Sequence, residues 1–259
     1  MQQSQDKQPR QTNEDLIAGR NAVSEALRSG RAIDHVLVAK GDRSGSIGML
    51  LGMCRERSIP VKEVDARKLD AMCGPHHQGI AAVAACKEYV LVEDILAAAA
   101  AKGEAPFVVV CDELEDPHNL GAILRTCECV GAHGVIVPKR RAAGLTAAVY
   151  KASAGAVEYV PVARVSNIAD TLRRLKKAGL WVYGMDMNGS TWCQADLRGG
   201  LALVVGSEGR GISRVVREEC DGVLSLPMTG QISSLNASVA CGILLYEAAR
   251  QRQNISAKN

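Results

Sequence analysis

Apolar positions along the chain follow two different patterns. Up to about residue 87 the segments are short and mixed. Residues 21–28 repeat with a helical period and stop at Gly30, residues 35–39 form a short apolar run, 47–57 read as a helix, and Pro60-Val61 opens a strand. Residues 79–86 are continuously apolar, as a strand buried on both faces would be. Residues 88–104 carry one Ala-rich helix, 93–101, and end in Lys-Gly-Glu before Pro106. From Phe107 the alternation is regular. Apolar runs at 107–111, 134–137, 157–162, 180–185, 201–205 and 222–226 read as strands. Helical patterns at 119–130, 146–153, 168–178, 213–219 and 236–252 separate or close them. Apolar strands alternating with helices predict a parallel sheet covered on both faces. The expected organisation is a polar flexible tail over 1–13, a small α/β domain over 14–87, a linker over 88–104, a larger α/β domain over 105–253, and a tail over 254–259.

Composition narrows the classes. The chain has 259 residues, long enough for two domains, and no run of about eighteen apolar residues that would span a membrane. The start is polar and Gln-rich, without the apolar core of a secretory signal. The nine cysteines are scattered with no C-x-x-C spacing, and the five histidines have no paired spacing. They read as reduced thiols of a cytoplasmic protein without a metal site. Net charge is +3, about +2 in each of 14–87 and 105–253. That permits nucleic acid without demanding it. Basic runs stand at Lys139-Arg140-Arg141 and at Arg173-Arg174 with Lys176-Lys177; such runs are often solvated helix faces. Aromatic content is 3%, with Phe107 the only phenylalanine, so a sheet that stacks bases is nearly excluded.

In parallel sheets ligands sit beyond the carboxyl ends of the strands, so the chemistry is sought in the loops there. The loop after 107–111 runs Asp116-Pro117-His118-Asn119-Leu120-Gly121 into a helix carrying Arg125. A capping Asn and a surface Arg would account for it alone. The loop after 201–205 is Gly206-Ser207-Glu208-Gly209-Arg210-Gly211, whose glycines let backbone approach a ligand closely. Its order is not G-x-G-x-x-G, and there is no Walker A sequence, so a nicotinamide or P-loop site is poorly supported. The third loop runs from Leu226-Pro227-Met228 to Ser234-Leu235-Asn236 and enters the last helix. Small polar groups at a helix start suit a polar ligand.

Taken together, Asp-Pro-His-Asn-Leu-Gly-Ala-Ile-Leu-Arg, Val-Gly-Ser-Glu-Gly-Arg-Gly and Leu-Pro-Met…Ser-Leu-Asn-Ala-Ser closely resemble the three motifs of the SpoU/TrmH ribose methyltransferases, within the SPOUT superfamily. Ala18-Gly19-Arg20-Asn21 and His76-His77-Gln78-Gly79 resemble that family's N-terminal RNA-binding module. The resemblance implies a trefoil-knotted parallel-sheet domain preceded by a small ribosomal-protein-like domain. It also implies a homodimer and the cofactor S-adenosylmethionine. The subgroup it points to modifies a guanosine of large-subunit ribosomal RNA, with transfer RNA or a non-catalytic assembly role as alternatives. Carried over by motif, Gly206, Leu226 and Leu235 are expected at the cofactor. Asn119, Arg125, Glu208, Ser234 and Asn236 are expected at the reaction site, with Arg125 activating the ribose hydroxyl and no metal involved.

Overall fold

The structure is a computed structural model that describes residues 16–28, 30–41, 45–232 and 234–255. The tail expected over 1–13, Arg43, and residues 256–259 lie outside the described residues. The chain divides into two compact units, with the boundary between Ala84 and Ala85.

The first unit contains β1 (Leu16–Ala18), α1 (Arg20–Arg28), β2 (Ile33–Ala39), α2 (Ile47–Glu56), β3 (Val61–Val64), α3 (Ala66–Cys73) and β4 (Ile80–Ala84). They form a four-stranded sheet in the order β1-β4-β2-β3, in which only β2 and β3 run parallel. Val23, Leu27, Val36, Leu50 and Ile80 close a core on one face. Leu37, Leu69, Ala81 and Val83 close one on the other. β1 and α3 were not anticipated from the pattern. β1 is three residues long, and α3 buries only Leu69. The two quoted pieces of this domain form one clasp. Arg20 donates its backbone N–H to Gln78 Oε1 at 3.1 Å and its Nε to the Gln78 carbonyl at 3.0 Å, and Gly19 N–H bonds the Ile80 carbonyl at 3.0 Å.

The second unit opens with α4 (Val92–Ala101), β5 (Phe107–Cys111), α5 (Pro117–Val130), β6 (Gly134–Pro138), α6 (Ala147–Ala152), β7 (Val162–Val165) and α7 (Ile168–Lys177). It continues through β8 (Trp181–Thr191), β9 (Leu201–Val205), α8 (Arg214–Glu218), β10 (Gly222–Ser225) and α9 (Ala237–Arg252). The Ala-rich segment expected in a linker is α4. Its Val92 and Ile95 pack with Val108, Val110 and Ile136 in the core of this unit.

Six strands form one all-parallel sheet in the order β10-β8-β9-β5-β6-β7. The unbroken apolar sequence of β5 follows from its central place. Phe107, Val109 and Cys111 face one core, Val108 and Val110 the other, and all five are buried. A fully buried aliphatic side chain stabilises by about 1.5–3 kcal/mol. The middle strands therefore hold the sheet, and their carboxyl ends are rigid points from which loops project.

Two strands differ from the expectation. The run 157–162 is not a strand. Residues Ala156–Glu158 form a 3-10 turn, and β7 begins only at Val162. The turn is set by Ala154 and Gly155, both at positive φ. Lys87 fastens it by donating to the carbonyls of Val157 at 2.9 Å and Glu158 at 2.7 Å. In the other direction, β8 runs past Met185 to Thr191, pairing with β10 at Tyr183 and Gly184 and again, after a register shift, at Ser190 and Thr191. Its second half is polar, so hydropathy alone ends the strand too early.

The cysteines described in the structure are all free thiols. Burial pushes Cys127 well up from its ordinary value and Cys241 to about 12, so these thiols stay protonated and inert. No helix among the described residues is long and apolar enough to cross a membrane.

Candidate active site

Adjacent strands β5 and β9, and the edge strand β10, deliver their loops to the same end of the sheet. The first loop is anchored by Asp112, whose buried carboxylate accepts the Ser213 N–H at 2.7 Å and so ties the loop to the start of α8. Asp116 then caps α5, accepting the His118 N–H at 3.0 Å, with Pro117 in the first turn. The sequence reading gave that capping role to Asn119. Asn119 instead sits inside the first turn, 3% exposed, with its amide free to face another loop.

The second loop closes on itself. Ser207 and Gly211 exchange backbone hydrogen bonds of 3.1 and 2.9 Å, and Gly209 and Gly211 take positive φ. At Gly206 the requirement is contact. A Cβ there would lie 2.1 Å from the Gly211 carbonyl carbon and 2.3 Å from the Ile212 nitrogen. Only glycine lets the two backbones meet this closely.

The third loop ends at Asn236, which caps α9. Its Oδ1 accepts from the N–H groups of Ser238 at 3.0 Å and Val239 at 3.2 Å. Its Nδ2 donates to Asn119 Oδ1 at 2.9 Å and to Glu208 Oε1 at 2.6 Å. Asn119 Nδ2 donates to the same Glu208 oxygen at 3.0 Å. One carboxylate thus gathers two amides from the two other loops. A carboxylate acts here only as acceptor, so each amide must present its nitrogen to Glu208. That leaves Asn236 Oδ1 for the helix cap.

Beside this cluster lies a cavity of about 550 Å³ lined by Gly206, Glu208, Leu226, Ser234, Leu235 and Asn236, among others. All three residues expected at the cofactor and three of those expected at the reaction site therefore line one cavity. Met228 and Leu235 add exposed apolar surface at the cavity. The pattern had not marked Asp186, which also lines the cavity and is held by Arg217 at 2.7 Å. Its signal was the unrecognised second half of β8. Arg125 is not brought to the cluster. Six residues beyond Asn119, it stands about 9 Å along α5 and roughly 120° around the axis. It is exposed and has no hydrogen-bond or ion-pair partner among the described residues. The residues one turn either side, Ala122 and Cys129, line a different concavity between α5 and α9, of about 920 Å³. No group of three metal-ligating side chains converges among the described residues.

The family profile described as SpoU rRNA Methylase family matches residues 106–246, more than half of the chain. The chain belongs to this family. A second profile, RNA 2'-O ribose methyltransferase substrate binding, matches residues 16–90. YacO of Bacillus subtilis (strain 168), named for the TrmH family of tRNA/rRNA methyltransferases, is 46% identical over 93% of this chain and 97% of its own. A Staphylococcus aureus (strain MSSA476) relative named for the same family is 43% identical over 93% of this chain and 97% of its own. Among solved structures, the SpoU methyltransferase AviRb of Streptomyces viridochromogenes, in complex with AdoMet, matches with a TM-score of 0.58. It is 27% identical, over 92% of this chain and 90% of that one. A TrmH/SpoU tRNA modifying enzyme of A. aeolicus matches with a TM-score of 0.52 and 30% identity, over 58% of this chain and 76% of that one.

The SpoU/TrmH protein is thus an RNA 2′-O-ribose methyltransferase acting on tRNA or rRNA, and its cofactor is S-adenosylmethionine. The cavity fits that cofactor on its own terms. Gly206 keeps one wall free of side chain, and Leu226, Met228 and Leu235 provide apolar surface beside polar backbone.

Proposed function

We propose that this protein methylates the ribose 2′-oxygen of a guanosine in a folded loop of 23S ribosomal RNA. The observation that carries the proposal is the Asn119–Glu208–Asn236 cluster on the wall of the cavity shared by Gly206, Leu226 and Leu235. It places oriented amides beside the cofactor pocket, as a reaction needs when positioning supplies most of the rate. The bound cofactor supplies an electrophilic methyl group, so the chain needs no covalent nucleophile and no metal. Gly206, Leu226 and Leu235 hold the cofactor, mainly through backbone and apolar contact. Asn119 and Asn236 orient the ribose, with Ser234 at the cavity edge, and Glu208 keeps both amides aimed. The ribose hydroxyl is a weak nucleophile and loses its proton during attack. A guanidinium is a poor base, so Arg125 polarises that hydroxyl and grips a neighbouring phosphate, and the proton passes to that phosphate or to a transiently neutral Arg125.

The place of Arg125 supports a homodimer. It stands beside a face of exposed apolar residues, Val239, Ile243 and Tyr246, that a monomer would leave in water. Two copies joined there complete a site that one copy leaves without its arginine. A trefoil knot in the C-terminal part belongs to the same reading and rests on family membership. The cytoplasm is the compartment in which these free thiols stay reduced.

The N-terminal domain supports ribosomal over transfer RNA. Two solved structures described as tRNA enzymes match only 58% of this chain, and the family profile that matches its larger domain is described as an rRNA methylase family. The test offers the purified protein labelled cofactor with protein-free large-subunit rRNA and with bulk tRNA, separately. Label at a 2′-oxygen of one rRNA guanosine is expected. Label in tRNA alone, or on a base atom, overturns the assignment.

A further inference from the structure

Beside the cluster, a second carboxylate joins loops. Glu113 follows β5 at a φ of 54°, a left-handed conformation unusual for a residue with a side chain. Its Oε1 accepts from Arg141 Nη1 at 2.8 Å, and its Oε2 lies 3.7 Å from Arg210 Nη2. Arg141 belongs to the loop after β6 and Arg210 to the glycine loop after β9. Three loops from adjacent strands therefore meet at one carboxylate. Glu113 lies six residues before Asn119, and Arg210 two residues after Glu208.

The exposure is one-sided. The Glu113 side chain is 24% exposed, but those of Arg141 and Arg210 are 69% and 71% exposed. An exposed ion pair contributes little to stability, so fold stability does not account for the arrangement. Each guanidinium has five N–H donors and spends few of them on Glu113. Lys139 and Arg140 extend the positive charge, and Glu115 opposes it weakly at Arg141. The other basic run of the chain behaves differently. On α7, Arg173 pairs with Asp170 and Glu219, Arg174 with Glu93, and Lys176 with Asp221. That run is neutralised; the run beside the site is left in excess.

We infer that Arg141 and Arg210 bind the RNA backbone phosphates flanking the target ribose, and that Glu113 holds the two guanidinium groups in place until those phosphates arrive. A planar guanidinium matches a phosphate bidentately, and the carboxylate is a smaller anion of the same sign that prealigns it. This rests on the proposed site being where the ribose reacts. Arg141 and Arg210 are positioning residues for the substrate. Arg141 stands outside the residues that line the cofactor cavity and acts on RNA capture alone, whereas Arg210 also lines that cavity.

The experiment uses the full chain with substitutions Arg141→Gln, Arg210→Gln, Arg141→Lys and Glu113→Gln. Binding is read with a labelled 20-nucleotide mixed-sequence RNA across salt concentrations, turnover with protein-free large-subunit rRNA, and cofactor affinity by calorimetry. Each Arg→Gln change is expected to reduce the log–log salt slope by roughly 0.7–0.9, one phosphate's worth. It should raise KM for rRNA about tenfold with kcat within about threefold; cofactor affinity should stay within about twofold for Arg141→Gln, the variant whose residue does not line the cofactor cavity. Arg141→Lys should keep the salt slope. Glu113→Gln should keep cofactor affinity and tighten RNA binding at low salt. Unchanged slopes in both Arg→Gln variants, with wild-type turnover intact, overturn the inference and leave the methyltransferase assignment standing. A Glu113→Gln variant that loses cofactor and RNA affinity together shows a mere loop pin and also overturns it. A wild-type chain that binds cofactor but methylates neither rRNA nor tRNA removes the proposed site, and this inference with it.

Discussion

Replacing Asn236 with aspartate separates its two roles. The carboxylate keeps the cap, because aspartate accepts the Ser238 and Val239 N–H groups as well as asparagine does, a contribution of about 1 kcal/mol. It loses both donors. The bond to Glu208 is charge-assisted, of about 1.5–3 kcal/mol, and the bond to Asn119 is neutral, of about 0.5–1.5 kcal/mol. It also sets a second negative charge against Glu208; in exposed surroundings that repulsion is about 1 kcal/mol near 4 Å. The penalty falls on the aim of the cluster and not on the fold. At 1.36 kcal/mol per decade, about 3 kcal/mol lowers turnover by a little over 100-fold. Asn236→Ala removes cap and donors but adds no charge. The two variants should therefore rank in opposite orders. Asn236→Asp keeps the higher Tm, and Asn236→Ala keeps the higher kcat. Two carboxylates in contact take up a shared proton at a higher pH than a lone carboxylate would as pH falls, and a protonated carboxyl can again donate to Glu208. The ratio of Asn236→Asp to Asn236→Ala activity should rise as pH falls. Methyl incorporation from pH 5.5 to 8.5, alongside thermal melts, checks both points. Equal losses in the two variants with a ratio flat in pH would refute the reasoning.

Other outcomes are expected on the same footing. Arg125→Ala should abolish methylation while leaving cofactor affinity within about twofold by calorimetry; activity within about threefold of wild type, under ~0.7 kcal/mol of barrier, contradicts the role given to it. Gly206→Ala should weaken cofactor binding by more than about 100-fold, since the added Cβ would sit 2.1 Å from backbone that cannot yield; near-normal affinity shows that the loop opens freely. Ile243→Asp should give a monomer by light scattering at micromolar concentration, with cofactor still bound and methylation lost; a persistent dimer moves the interface elsewhere. His133 should make stability depend on pH. Burial lowers its pKa, partly offset by Glu104, while its Nδ1 accepts the Phe107 N–H at 3.0 Å and its Nε2 faces Glu104 at 3.0 Å. The unfolded chain then binds the extra proton more readily, so stability is fully present above about pH 6.5 and is lost as pH falls through the folded pKa. His133→Asn keeps an acceptor without titrating, and its Tm should vary less between pH 5 and 7; an unchanged profile assigns the effect to other groups.

What the sequence made legible, and what it hid, follows the range of the interactions. The strands of the large sheet were readable because both faces are buried, so Phe107–Cys111 and Leu201–Val205 are apolar without interruption. The second half of β8 was not, because Asp186, Asn188 and Ser190 are polar and its pairing with β10 resumes only at Ser190 and Thr191. The run 157–162 misled for the converse reason. It is apolar because it is buried, yet Gly155, the Lys87 ammonium and Pro161 set it as a turn. The loops of the site were found from glycines and from family motifs, but their pairing was not. Asn119 meets Glu208 across 89 residues and Asn236 across 117. A local pattern sees in each Asn only a helix cap, and that reading fails at Asn119, where Asp116 does the capping. At Asn236 it is half right, since Oδ1 caps the helix. The other half, Nδ2 on Glu208, exists only because the parallel order β10-β8-β9-β5 brings the ends of distant strands together. The same geometry turns Arg125 away from the cluster within one chain. In the proposed homodimer the partner copy supplies this arginine, and loss of activity on breaking the α5–α9 face, with cofactor binding intact, is the measurement that tests it.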